Sequence, residues 1–223
     1  MKDVNMDILI NEYYNLEQTL ELEQSIISKK QSHNGYSVER EYINSKEYHD
    51  KFEKLAVNKD VQQSIYIQTG RLLEHVDGHG EEKMVAIDAR TGKFIVDNFA
   101  REGRIESTSF TNDEYLLIQK SKNSVVLIHN HSENGRPSAQ DLLTYLNDLH
   151  IRLSIVACHD GTLYEIRDVK NIFKEVYEDT LERTKKDVSN LKEAKRIAMT
   201  KIYIYNDKLP EKQKLFGEMS KTN

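Results

Sequence analysis

Apolar positions in the first third of the chain recur at helical spacing. Leu9, Tyr13, Leu16, Leu20, Glu23 and Ile27 stand four, three, four, three and four residues apart. That is an apolar seam with one charged break, at Glu23. It predicts a helix that packs on its own chain, or that pairs with a second copy or a partner helix. Ser32-His33-Asn34-Gly35 interrupts it, since Asn and Gly together punctuate. A helix is expected to resume after Ser45, a good N-cap residue. It should run through Phe52 and Leu55 to Leu73, with an interruption near Val57-Asn58, and Val76 to Gly80 ends it.

The pattern then shortens. Met84 to Ile87 and Phe94 to Val96 read as strands about a turn at Asp88 to Lys93. Ser107 to Phe110 reads as a strand or as the lead-in to a helix over Asp113 to Lys120. Val125 to His131 is a strand and Ser138 to Leu149 an amphipathic helix. Leu153 to Ala157 and Leu163 to Ile166 are strands about Asp160-Gly161. Helical spacing returns beyond Asp168 at Ile172, Phe173, Val176, Tyr177, Leu181, Val188 and Leu191. Pro210 ends it, and the polar tail from Lys208 to Asn223 is expected to be disordered. The prediction is an α/β core over residues 75–168, an N-terminal helical arm over 1–74 and a charged C-terminal helical arm over 169–223.

Composition narrows the function. Of the 223 residues, 38% are hydrophobic and 31% charged, with a net charge of −5. No basic run stands out, which argues against nucleic acid as partner. One cysteine, Cys158, excludes an internal disulfide and a cysteine-rich zinc site; it reads as an inert buried thiol. No stretch approaches the ~18 apolar residues of a membrane span, and Asp3 and Asp7 near the start do not suit a secretory leader. The expectation is a cytoplasmic protein with no membrane association.

The candidate chemistry lies in "VVLIHNHSENGRPSAQD", Val125 to Asp141. Residues i and i+2 of a strand share a face, so His129 and His131 point together while Asn130 points away. Two inward imidazoles behind four apolar residues are costly to bury without a partner, and a divalent cation is one. Ser138 and Asp141 also match a capping box, whose ordinary role is structural. Two histidines and one carboxylate suit zinc and leave its fourth position open to water. A water held there has its pKa lowered to about 7, and a carboxylate nearby must carry its proton.

His-Asn-His, a short loop, then Ser-x-x-Asp resembles the motif of the JAMM (MPN-plus, JAB) zinc metallopeptidases, within them the RadC-like and phage-associated prokaryotic branch. The resemblance covers residues 75–168. It implies a JAMM-like fold with a cytidine-deaminase-like layout: a curved mixed sheet with packed helices. It implies hydrolysis of a peptide or isopeptide bond, as in enzymes that remove ubiquitin-like proteins from lysine, with a protein or peptide as substrate. His129, His131 and Asp141 would be the Zn²⁺ ligands, and Ser138 the hydroxyl that helps hold the oxyanion. The catalytic glutamate of the family lies upstream. Alternation turns Glu82 toward the metal, with Met84 and Ala86, and turns Glu81 toward solvent beside Lys83; Glu81 is the alternative, and Glu74 and Asp77 follow. The loop from His131 to Ser138 has six residues where the family has about seven, and Ser132 stands where relatives often have Pro. The rival reading is a non-catalytic phage or mobile-element assembly module that keeps the fold. The letters His-Asn-His also spell the nickname of a nuclease family, but its residues are scattered over a ββα element. His159 reads as a turn residue, with support of the site as its alternative role, and Arg136 as a solvated loop residue.

Overall fold

The computed structural model describes residues 36–102, 104–105 and 107–217. The seam from Leu9 to Ile27 and the end of the tail, 218–223, lie outside them. The chain enters through a short helix α1 (Arg40–Ile43) and α2 (Lys46–Glu53). The Ser45 hydroxyl accepts from the Tyr48 N–H at 3.1 Å and starts α2. The interruption falls at residues 54–58, where the Asn58 side chain accepts from the Val61 N–H and opens α3 (Lys59–Val76).

The elements that follow are β1 (Glu81–Glu82), β2 (Met84–Asp88), β3 (Phe94–Asp97), β4 (Arg104–Ile105), α4 (Asn112–Gln119), β5 (Val125–His131), α5 (Ala139–Asn147), β6 (Ile151–Cys158) and β7 (Leu163–Ile166). Two longer helices close the chain, α6 (Ile172–Asp187) and α7 (Leu191–Lys208). Ser107 to Phe110 is a lead-in rather than a ladder strand; it delivers Thr111, which makes a reciprocal capping box with Glu114 at the start of α4.

The architecture is α/β. Five strands form one mixed sheet in the order β3-β2-β5-β6-β7; β5 and β6 are parallel and the other neighbours antiparallel. β1 and β4 form a separate antiparallel pair. The turn between β2 and β3 is gathered by Asp88. Its Oδ1 accepts from the N–H groups of Arg90 and Thr91 and from the Thr91 hydroxyl, and its Oδ2 from Asn123. Burial raises this carboxyl, but those bonds outweigh it and lower its pKa to about 2. Gly92 takes the left-handed conformation, at φ 71°, that the turn needs.

Alternation sorts each strand between two covers. Val85, Ile87, Val126, Ile128, Leu153, Ile155 and Ala157 face α2 and α3, where Phe52, Ile65, Leu72 and Leu73 are fully buried. On the other face Val156, Cys158, Tyr164 and Ile166 pack with α5, α6 and α7 through Leu142, Phe173, Tyr177 and Ile202. Ala86, Val96 and Val125 meet Ile118 of α4. The flanking helices expected as arms therefore pack on the two faces of the sheet and share its cores.

The helical pattern beyond Asp168 is present as two helices, because Asn190 ends the run and caps α7 with bonds from Lys192 and Glu193 N–H. Two expectations need correction. The chain after Lys208 does not trail off as disorder up to Gly217. A 3₁₀ turn over Glu211–Gln213 brings Leu215 and Phe216 back into the core, where both are buried. Asn206 of α7 fastens this return: its Oδ1 accepts from Leu215 N–H at 2.6 Å and its Nδ2 donates to Phe216 O at 3.2 Å. The surroundings of Lys83 are not solvent either: its side chain is only 3% exposed, pairs with Glu81 and donates to Arg101 O.

Candidate metal centre

The site forms where β5 ends and α5 begins. His129 stands level with Met84 of β2 on one side and Val156 of β6 on the other. It is central in the sheet and 3% exposed. His131, two residues on, points to the same face, and the two rings meet edge to face with centroids 5.1 Å apart.

A loop then returns Asp141 to them. Asn134 adopts the left-handed conformation at φ 58°, and its side chain accepts from Asp160 N–H. Pro137 O accepts from the Tyr203 hydroxyl of α7 at 2.7 Å. Ser138 caps α5 and Asp141 lies in its first turn, where the positive end of the helix dipole favours a carboxylate. The six-residue loop is thus long enough: Asp141 Oδ1 lies 3.2 Å from His129 Nε2, and Oδ2 lies 3.4 Å from His131 Nε2.

The sequence-predicted ligands His129, His131 and Asp141 are brought together, with one ligand atom from each within 4.8 Å of the others. They are a group that could hold a metal ion. Both ring nitrogens of His129 are buried; Nδ1 has no hydrogen-bond partner, and Nε2 faces only the Asp141 carboxylate, 3.2 Å away. An imidazole so poorly paired is costly to bury, and a cation between the three side chains would take the Nε2 lone pair.

His131 is prepared differently. Its Nδ1 lies 3.0 Å from Gly135 O. A carbonyl only accepts, so Nδ1 carries a proton, and the neutral ring presents its Nε2 lone pair to Asp141 and His129. Burial lowers the pKa of His131, but Asp141, with smaller help from Glu82 and Gly135, raises it to about 9. Burial likewise pushes the Asp141 carboxyl up, and the neighbouring histidines hold it well below the usual range. With no cation bound, the Asp141 carboxylate lies against both imidazoles.

Ser138 is committed to Asp141. Its N–H and its hydroxyl both donate to Asp141 Oδ2, at 2.6 and 2.8 Å, and its Oγ accepts from Asp141 N–H. The capping-box reading and the site reading therefore describe the same bonds: the cap holds the carboxylate in place. Glu82 approaches from β1. The antiparallel ladder of β2 on β5 ends at Met84 and His129, two residues after Glu82 and two before His131. The Glu82 charge acts on His131, and Glu82 is partly buried.

Asn130 was not found from sequence, and other residues around the site take parts the sequence named only as alternatives or not at all. Ser132 donates to Gly80 O at 3.2 Å and so joins the loop to the segment entering β1. Asn130 and His159 are fully buried behind the histidines and bonded to each other. The signal was available for Asn130, because a polar side chain facing an apolar core needs partners. Arg136 is exposed, as expected, and lies over the Tyr203 ring, 4.8 Å from its centroid, with Asp207 at 3.3 Å.

Comparison of the chain with protein-family models, with curated proteins and with solved structures gives no match. Among the described residues no helix is long and apolar enough to cross a membrane.

Proposed function

We propose that this protein is a zinc-dependent hydrolase of peptide or isopeptide bonds, in the manner of the JAMM metallopeptidases its motif resembles. The observation that carries the reading is the convergence of His129, His131 and Asp141, with a buried imidazole whose Nδ1 has no hydrogen-bond partner. A tetrahedral zinc with ligand bonds of about 2.0–2.1 Å spaces its donors about 3.3 Å apart. The separations of 3.2 Å to Asp141 Oδ1 and 3.4 Å to Asp141 Oδ2 bring both imidazoles within reach of one ion held by that carboxylate. Two nitrogens and one oxygen suit zinc better than magnesium or calcium, which prefer oxygen.

When bound, zinc supplies Lewis acidity and lowers the pKa of water toward neutrality. The chain's own groups do the rest. Three ligands leave one position open to substrate and water. Glu82 takes the proton of the attacking water and delivers it to the leaving amine. Ser138 orients Asp141, and turning its hydroxyl toward the substrate carbonyl would give the growing negative charge a donor at the start of α5. The substrate is a protein or peptide; a ubiquitin-like isopeptide is the narrower form of the proposal. A non-catalytic assembly module is the alternative, and the carboxylate of Glu82 acting on His131 favours the enzyme.

Purified protein should carry about one zinc per chain, and His129→Ala and His131→Ala should each lose it. Hydrolysis of a panel of fluorogenic peptides and lysine-linked isopeptides should stop on chelation and return with zinc. Unchanged metal content in both variants sinks the ligand assignment. A zinc-loaded protein inert toward the whole panel favours the assembly module.

A further inference from the structure

Asn130 stands between the two histidines but faces away from them, and is fully buried. Its side chain reaches the strand that carries Glu82. Oδ1 accepts from the Lys83 N–H at 2.8 Å, and Nδ2 donates to Glu81 O at 2.9 Å. These two groups belong to the peptide units on either side of the Glu82 Cα. One carboxamide therefore holds both peptide planes that set the backbone torsions of Glu82.

The clamp is needed because backbone pairing weakens there. The regular ladder between β2 and β5 ends at Met84 and His129. Beyond it one long bond remains, Asn130 N–H to Lys83 O at 3.4 Å.

The orientation of the carboxamide is itself fixed. His159 Nδ1 lies 2.7 Å from Tyr36 O, and that carbonyl requires a proton on Nδ1. The neutral ring then presents a lone pair at Nε2, 3.3 Å from Asn130 Nδ2. Lys83 N–H, Glu81 C=O and His159 each demand the same placement of oxygen and nitrogen.

We propose that Asn130 is a positioning residue for Glu82: from the back of the sheet it holds the Glu82 backbone so that the carboxylate faces the metal ligands, and His159 keeps Asn130 oriented. This rests on the reading of Glu82 as the proton carrier. It predicts that Asn130 acts on the site only through Glu82.

The test uses cobalt(II) in place of zinc, with no substrate. The visible absorption of the cobalt protein is titrated with pH in wild type, Glu82→Gln, Asn130→Asp and the double variant. Asn130→Asp keeps the shape and the acceptor for Lys83 N–H but loses both donated bonds. It should bind cobalt at wild-type stoichiometry and move the pH midpoint in the same direction as Glu82→Gln. The double variant should match Glu82→Gln alone, the non-additivity of residues acting as a unit.

If Glu82→Gln moves the midpoint and Asn130→Asp does not, or if the two shifts add, the positioning role is overturned and the reading of Glu82 stands. If Glu82→Gln itself leaves the midpoint unchanged, Glu82 is not the group at the metal and both ideas fall. Should Asn130→Asp fail to fold or load cobalt, His159→Gln decides. It should shift the midpoint in the same direction, with no further shift when combined with Glu82→Gln; an unmoved midpoint overturns the role.

Discussion

Glu81 and Glu82 are adjacent, yet their surroundings separate their roles. Glu81 pairs with Lys83, whose side chain is buried, at 3.3 Å, while the Glu82 charge bears on His131. Glu82→Gln should keep fold and metal but slow hydrolysis by ~10²-fold or more, the usual worth of a placed acid–base group. Glu81→Gln should retain turnover but lower the melting temperature, because it leaves the buried Lys83 charge without its counter-ion. The reverse pattern in turnover moves the base to Glu81. Asp88 supports the fold rather than the site. Its carboxyl is lowered in the folded state to about 2 from 3.8, so its contribution is complete above pH ~4 and fades as pH falls toward 2. Asp88→Asn should flatten the loss of stability across that window in acid titrations followed by circular dichroism; an unchanged profile counts against the clamp. The clustering of His129, His131 and Asp141 was legible in the sequence because a strand's alternation and a helix cap place them without tertiary information. The argument from alternation for Glu82 set Lys83 in solvent, and there the fold differs: Lys83 is covered. The partners of Asn130 were not legible, since His159 and Tyr36 are far from it in sequence and only the folded sheet brings them behind it.

Among the elements, those bounded by their own caps and turns were readable. Ser45, Asn58 and Ser138 each start a helix where their side chains can accept a backbone N–H, and β5 matches its apolar run residue for residue. Elements set by distant contacts were not. β1 and β4 have two residues each, too short for periodicity to register. The return of Leu215 and Phe216 after Pro210 depends on Asn206 and on an apolar bed assembled from α6, α7 and β7. Local polarity suggested disorder, and burial of two large side chains overrode it. Asn206→Ala should leave the Leu215 N–H and the Phe216 carbonyl without partners and cost ~1–3 kcal/mol. The returning segment should then become sensitive to trypsin at Lys212 and Lys214. Equal digestion of wild type and variant would mean that Asn206 does not fasten it.

At the scale of the molecule, the sheet is covered on both faces, and the proposed ligands join its central strand to α5. A bound ion stabilises a fold by ~2.7 kcal/mol at a free concentration one hundred times its dissociation constant. In a domain of this size that is several degrees of melting temperature. Chelation should lower the melting temperature of wild type by that amount and leave His129→Ala unmoved; an equal response of both proteins would detach stability from the site. The three donors also lie within thirteen consecutive residues, 129–141, and β2, the antiparallel neighbour of β5, precedes them in the chain. During synthesis they leave the ribosome before β6, β7, α6 and α7 do. Closing so short a loop around an ion costs little chain entropy. If these side chains hold an ion, an emerging chain can capture it before those later elements have left the ribosome, making metal loading an early step of biogenesis. Refolding started with zinc present should then outpace refolding with zinc added at the end, and equal rates would place capture last.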